Sequence, residues 1–508
     1  MTDRLDPLYR QNPDYQPRHD GTFWLLSDAE GWGLACDEPV YRVWSSFDGR
    51  PTEEVVGEAS SQSGVSQAFV QSTAKVLARA GMLLPSQPLP SLRRVPFTDV
   101  SDLSPYPQVS IIILASRQAR VHLESCLPSV QAQIYPNLEV ILVDNQTTDE
   151  SAEFARREYP QIRVLSTPEP MGFAGANNWA MEQARGEFFF LVNEDTEMEP
   201  DCIAECMRVM LGSEQIAVVA PKMKLFYMRD FYNSMGNSIH ADGNSHDNFI
   251  GYLDVGQFDE MDQVFTACFG AAMLRGSVVE DIGYMDEEFF VYYSDTDWSY
   301  RARIGGYDIV AAPRAVIYHK FTATIGAMAS TFKLGLVTYS RLRFAWKDLD
   351  FGRACRFLGL YFKGDIGGYL WAKQNGMKDA MATYRQTRRK WLRALPEVTA
   401  ARRQIRRRRR PPFSDDQAFA LAAQAPRPAM YGKYPVLAAP FIRSHYMGLQ
   451  IFRPESAPEP GDLAPIDVAQ SPPLSSLAGR AWQVLRENGV RGFVAETRSY
   501  FLWRIMPK

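Results

Sequence analysis

The sequence predicts an α/β protein: a mostly parallel sheet flanked by helices, with a small N-terminal winged-helix-like domain and a helical, irregular C-terminal extension. Two observations carry the prediction. Short apolar runs, VSIIIL at 109–114 and LEVILVDN at 138–145, have the length and near-continuous hydrophobicity of strands buried on both faces. They alternate with helical patterns and end in polar residues, as in open sheets that bind ligands at strand C-termini.

Taken in order, residues 1–84 read as a small unit. Thr22–Leu26 is strand-like, and Pro39–Ser46 is a helix presenting Val40, Val43, Trp44 and Phe47. Asp48-Gly49 signals a turn. Thr52 opens a second helix with Glu53 and Glu54 in its first turn, and Val65–Ala80 forms a third that Gly81 closes. Prolines at 85, 88, 90, 96, 105 and 107 make 85–107 a stiff extended linker. Residues 108–345 hold the α/β domain: strands at 109–114, 138–145, 162–167 and 187–195, and helices near 122–134, 151–159 and 174–184. A helical basic extension at 346–410 follows, then Pro-rich irregular stretches and a terminal helix within 411–508.

The 508 residues suggest about three domains at roughly 150 each. No run reaches the ~18–20 apolar residues of a membrane span, and MTDRLDPLYRQNPDYQ has no secretory signal pattern. Six scattered cysteines fit a reducing compartment, so the expected location is cytoplasmic, with peripheral contact at the inner face of the membrane as an option. The net charge of −4 hides an asymmetry: residues 381–410 carry twelve Lys/Arg against Glu397, a local +11 that leaves −15 elsewhere. Such a block suits anionic lipid or is simply a solvated helix end; no aromatic spacing indicates nucleic acid. Without GxGxxG or a Walker A motif, dinucleotide oxidoreductases and P-loop kinases are disfavoured.

Several residues carry candidate chemistry. Asp144 ends a buried strand, where a carboxylate needs a ligand or donor to offset its desolvation; capping the next helix is the alternative, which Asp149 and Ser151 suit better. Asn193-Glu194-Asp195 ends another strand, and oxygen ligands at such a position suit a hard cation. Asp295 and Asp297 follow an aromatic, strand-like FFVYY run and precede a helix, where Ser294 would be a good N-cap. Cys202 and Cys206 share a helix face and read as buried thiols; His240 and His246 read as a surface loop or an acceptor-site lining.

The order of motifs across 109–345 resembles the inverting family 2 glycosyltransferases of GT-A fold, in particular a rhamnosyltransferase-like branch. The run is VSIIIL, VDN, MGFAGANNWA, LVNED, GYMDEEFFVYYSDTDWSYRAR and VIYH. The resemblance implies donor contacts from Asp144, Asn145, Gly172, Phe173, Asn177, Asn193 and Gly270. It implies a Mg²⁺ or Mn²⁺ site at Asp195 and His319, and a base at Asp295 with Asp297 in reserve. Departures accompany it. The family's Pro-Thr-Tyr-Asn is Leu114-Ala115-Ser116-Arg117 here, Asn-Pro-Asp is Asn193-Glu194-Asp195, and Glu-Asp-x-Asp is Ser294-Asp295-Thr296-Asp297. Residues 1–84, with Trp44, Asp48-Gly49, PTEEVV and ARAGML in order, resemble PqqD-like peptide-recognition domains, which take leader peptides by β-augmentation.

The implied activity is metal-assisted, inverting transfer of a hexosyl or rhamnosyl unit from a nucleoside-diphosphate sugar. The acceptor is a glycan, a lipid-linked glycan or a peptide, in polysaccharide or modified-peptide biosynthesis. Two other classes compete. A non-catalytic nucleotide-sugar scaffold would lack the combination of Asp195, Asp295 and His319. A nucleotidyltransferase would need a glycine-rich triphosphate loop that LASRQ does not provide.

Overall fold

The computed structural model describes residues 8–87, 96, 98–240, 243, 245–321, 330–410, 413–426, 428–431, 433–439 and 442–446. The terminal helix and the Pro-rich stretch at 453–473 lie outside these residues.

The N-terminal region opens with four strands, β1 (Leu8–Gln11), β2 (Gln16–His19), β3 (Trp24–Ser27) and β4 (Gly33–Cys36). Helix α1 (Glu38–Ser46) begins where Asp37 accepts from the Val40 amide, and it buries Val40, Val43 and Trp44. Strand β5 (Asp48–Pro51) follows, then α2 (Thr52–Ser63), α3 (Gln67–Arg79) and β6 (Leu83–Pro85). The Asp48-Gly49 turn is therefore corrected to a strand. It pairs antiparallel with β1, and Gly49 absorbs a φ of +100° that L-residues rarely adopt.

The stretch expected as an extended linker packs at its C-terminal end. A single 3-10 turn at Ser101–Leu103 buries Leu103, and Asp102 pairs with Arg208 at 2.6 Å.

The central layer is a nine-stranded mixed sheet. Its elements are β7 (Val109–Ser116), α4 (Arg120–Gln131), β8 (Leu138–Asn145), α5 (Ser151–Glu158), β9 (Arg163–Ser166), α6 (Phe173–Met181), β10 (Phe188–Asn193) and β11 (Thr196–Met198). Then come α7 (Cys202–Leu211), β12 (Ile216–Leu225), β13 (Tyr232–Ser234), β14 (Asn237–Ile239), β15 (Ser245–Asp247), β16 (Ala271–Arg275), α8 (Gly276–Ile282), α9 (Ser294–Ile304) and β17 (Asp308–His319). The strand order is β11-β17-β12-β16-β10-β7-β8-β9, with β13 paired to β12. Strands β9, β8, β7 and β10 run parallel, and β16 joins them to β12 antiparallel.

Alternation along β7 shows why the run is so apolar. Val109, Ile111 and Ile113 face a core shared with α4, α5 and α7, whereas Ile112 and Leu114 face one shared with α6, α8 and α9. Cys202 and Cys206 are buried free thiols in the first of these cores.

Three long helices, α10 (Ser330–Asp348), α11 (Phe351–Gln374) and α12 (Lys378–Arg407), pack beside α9 through Phe344, Leu342, Phe357, Tyr361 and Trp391. Much of the basic stretch is tied down. Arg388 pairs with buried Asp365, Arg402 donates to the Trp346 carbonyl, Arg406 donates to the Asp348 carbonyl, and Arg410 pairs with Asp281. Glu397 clasps buried Arg343 at 2.8 Å.

The segment 411–440, expected as irregular linker, holds α13 (Asp415–Gln424), β18 (Met430–Tyr431) and β19 (Tyr434–Leu437). Val436 and Leu437 run parallel to Ala35 and Cys36, so β19 completes a sheet ordered β18-β19-β4-β3-β2. The apolar YPVL run was legible as a strand only with β4 as its partner.

Candidate active site

Asp195 stands just past β10, and His319 ends β17. The antiparallel register of β11 and β17, which sets Thr196 opposite His319, brings them together. Asp195 Oδ1 lies 3.2 Å from His319 Nε2, and the Lys320 amide donates to the Asp195 carbonyl at 2.9 Å. On its other side, His319 Nδ1 meets Asn233 Oδ1 at 2.5 Å, which fixes the ring. Asp195 is buried, yet Oδ1 has no well-formed hydrogen bond.

Burial opposes the Asp195 charge, but His319 holds its carboxyl below the usual range. The neighbouring Glu194 goes the other way: burial, reinforced by the Asp195 charge, pushes it up to about 8. His122 and Lys320 also sit within electrostatic reach of Asp195, and Lys320 Nζ donates to Ser125 Oγ at 2.9 Å.

A carboxylate oxygen without a well-formed hydrogen bond, beside a ring nitrogen, is a donor pair for a divalent cation, and the oxygen suits Mg²⁺ or Mn²⁺. Among the described residues no group of three or more His, Cys, Asp or Glu gathers here. Remaining coordination positions would fall to phosphate oxygens and water, the usual arrangement for cations that bridge diphosphates.

The two carboxylates of α9 have separate environments. Asp297 is fully buried, 2.9 Å from Arg301 Nε and 2.5 Å from Lys347 Nζ. Burial raises its pKa, but these cations outweigh it and hold the carboxyl at about 2. Among the described residues Asp295 has no cation partner. Its Oδ2 accepts from Asn237 Nδ2 at 3.2 Å and its Oδ1 from the Thr296 amide at 2.6 Å, and burial pushes its pKa up.

The helix does not begin as expected. Ser294 is its first residue, and the cap position falls to Tyr293 at φ +71°, with no side-chain cap bond. The Tyr293 hydroxyl is anchored instead to the Gly243 carbonyl and the Ser245 amide. FFVYY is likewise not a strand: it is an irregular segment whose Phe290 carbonyl accepts from the Phe173 amide at 2.6 Å.

That bond explains Gly172. A Cβ there would stand 2.5 Å from the Phe290 carbonyl oxygen, so only glycine lets the two loops touch. Asn145 braces the same loop, donating to the Met171 carbonyl at 2.8 Å and accepting from its amide at 2.9 Å. Asn177 is buried and donates within its helix to the Phe173 carbonyl, so it packs the helix rather than facing open space. Asp144 accepts from the Thr147 amide and hydroxyl and from Ser166, and so makes a turn at the strand end rather than a helix cap. The Asn193 amide donates to the Gly270 carbonyl at 3.0 Å, which joins β10 to the segment before β16.

Sequence reasoning missed the ribbon of β14 and β15. Asn237 lies opposite Asp247 in its ladder and reaches Asp295 with its side chain. Burial pushes Asp247 up to about 7, with Asp295 adding to the shift and His319 opposing it. His240 and His246 stack at 4.4 Å; burial lowers the pKa of His246, which sits on β15, to about 4, while His240 is exposed in the loop just past β14.

Residues 110–283 match the family model described as Glycosyl transferase family 2. The uncharacterized protein y4gI of Sinorhizobium fredii is 29% identical over 264 residues, covering 48% of this chain and 28% of that protein. The O-antigen biosynthesis protein RfbC of Myxococcus xanthus is 26% identical over 227 residues, covering 43% of this chain and 18% of that one. The matches thus span less than a third of either relative's length. A solved structure, mannosyltransferase PcManGT from Pyrobaculum calidifontis with GDP-Man and Mn²⁺, is 17% identical, with a TM-score of 0.38 over 60% of this chain and 88% of that one.

Proposed function

With a Glycosyl transferase family 2 domain at residues 110–283 as premise, we propose that this protein transfers a sugar from a nucleoside-diphosphate donor to an acceptor hydroxyl with inversion. The observation that carries the reading is the division of labour among carboxylates. Asp195 has a buried oxygen that faces His319 without a well-formed hydrogen bond, whereas Asp295 has a raised pKa and no cation partner among the described residues.

In this reading Asp295 accepts the acceptor's hydroxyl proton as that oxygen bonds to the anomeric carbon. The bond from that carbon to the diphosphate oxygen breaks, and its electron pair leaves with the nucleoside diphosphate. Asn237 holds Asp295 in position through the 3.2 Å hydrogen bond. Asp195 and His319 would hold a divalent cation, Mn²⁺ or Mg²⁺, which would supply charge neutralisation for the leaving diphosphate. Asp144 and Asn145 flank the donor at the end of β8, while Gly172, Phe173, Asn193 and Gly270 shape the adjoining wall and Asn177 packs behind it within its helix. Asp297 becomes a positioning residue, because its two cations leave it little basicity.

Retention of a family pattern common to surface glycan assembly, and similarity to an O-antigen biosynthesis protein, favour a polysaccharide acceptor and a hexosyl or rhamnosyl donor. The N-terminal region supplies a second element. We infer that it holds a peptide segment, as in the PqqD-like domains it resembles: four strands precede the first of three helices, and all four residues of edge strand β2 are exposed. It also stands near the metal pair. Trp32 stacks on Tyr227 at 3.9 Å, and the Phe226 amide donates to the His319 carbonyl.

The deciding experiment incubates the full chain with Mn²⁺, a panel of nucleotide sugars and candidate glycan, lipid-linked and peptide acceptors, and reads products by mass spectrometry. Glycosylated product with the wild type and none with Asp295→Asn supports the reading. No product from any donor, with no binding of UDP, GDP or dTDP, overturns it.

A further inference from the structure

Helix α11 has two faces. Ala354, Phe357, Tyr361, Asp365 and Ala372 are buried toward α10 and α12, and Asp365, its one acid, is held by Arg388. The opposite face lies open to solvent: Leu360, Ile366, Leu370 and Trp371 are 42–52% exposed, far more than large apolar side chains in a packed helix. Glycines 359, 364 and 367 leave open space between them, so the apolar side chains project beyond the backbone.

The exposed charges of α11 and of the start of α12 have nearly one sign. Arg356, Lys363 and Lys373 are exposed on α11, as are Lys378, Arg385 and Arg389 at the start of α12. Across 351–396 the only exposed acid is Asp379. Apolar and aromatic side chains interleaved with basic ones on one helix face match an anionic bilayer interface, where aliphatic groups enter the headgroup boundary and long basic stems reach back to phosphates. A second copy of the same face would set like charges together, which disfavours self-association.

We propose that α11, with the first turns of α12, is a peripheral docking surface for anionic lipid. The helix lies in the plane of the membrane interface and does not cross it; among the described residues no helix is long and apolar enough to span. This surface is independent of the transfer reaction, and it would hold the site near lipid-linked acceptors.

The test is flotation of the full chain with vesicles of 30% phosphatidylglycerol in phosphatidylcholine, against pure phosphatidylcholine, at low and high salt. Anionic vesicles should carry the protein at least about tenfold better than neutral ones, with most of the gain lost at high salt. The double variants L370E/W371E and K363E/K373E should each abolish that gain, with melting temperature and UDP binding unchanged. Because these residues are exposed, neither variant removes core packing. Wild-type flotation by both variants would overturn the proposal, as would equal recovery with neutral vesicles. Sedimentation velocity without lipid provides the other arm: a concentration-dependent dimer that L370E/W371E dissolves would assign the face to a second copy and overturn the lipid reading.

Discussion

Asp195 Oδ1 and His319 Nε2 face each other at 3.2 Å across the ends of two strands, and the carboxylate oxygen lacks a well-formed hydrogen bond. A cation placed there would satisfy both atoms at once. Asp195→Ala should therefore abolish the part of nucleotide affinity that depends on Mn²⁺. Calorimetric titration with UDP, GDP and dTDP, with metal and in chelator, measures that part directly. Metal-independent affinity in the wild type would remove the cation from this site.

The carboxylates of α9 should fail in different ways. Asp295→Asn should cost about 10²–10⁴-fold in turnover, with donor binding and melting temperature close to wild type. Asp297→Asn removes the carboxylate beside largely buried Arg301 and leaves Lys347 with Asp286 alone, and should destabilise the fold by about 1–3 kcal/mol. Denaturant melts beside initial rates separate the two, and a fully stable, inactive Asp297→Asn would exchange their roles.

Burial raises the Asp295 pKa, so its carboxyl stays protonated to higher pH than an ordinary one, and in the proposed reaction it is then unable to act as base. The acid limb of kcat/KM should lie above the usual carboxylate value. Asn237→Ala removes a hydrogen bond to the charged form and should move that limb further upward. An unchanged pH profile would detach Asn237 from the base.

Acid stability follows from two other carboxylates. Lys222 and Lys224 hold Asp254 at about 2, as Lys347 and Arg301 hold Asp297. Both pKa values are depressed by folding from the ordinary 3.8. Their contribution is complete above that value and is lost as pH falls through it toward about 2. Near-UV circular dichroism should show unfolding across this window, and Asp254→Asn should flatten it.

Gly172→Ala tests the loop contact. Its methyl would collide with the Phe290 carbonyl, forcing the 171–173 segment away from 290 at a cost of about 1–3 kcal/mol. Donor affinity should fall with the melting temperature. Wild-type values for both would mean the loops can part freely.

The α/β layer was legible because its strands are apolar on both faces and its helices intervene in a regular rhythm: VSIIIL and LEVILVDN declare themselves locally. Asp195 and His319 were visible as strand-end residues within ordered motifs, but their separation of 3.2 Å depends on β11–β17 register. Asp297 looked interchangeable with Asp295 because spacing says nothing of Lys347, which arrives from another helix. Asn237 and Asp247 were hidden for a similar reason: short, polar ribbons leave no hydrophobic period. The basic block looked solvated because partners such as Asp281 and Asp365 lie tens of residues away in sequence or more.

Strand β4 gains its neighbour β19 from far downstream, and the Asp37 carboxylate accepts from the Ala439 amide across 402 residues. At roughly 5–20 residues per second of synthesis, the ribosome needs on the order of 20–80 s to deliver that strand. Throughout this interval the nascent chain presents an unpaired strand edge able to template the wrong pairing. The N-terminal sheet is thus among the first parts made and among the last completed, so translation rate and chaperone supply bear on the yield of the folded chain.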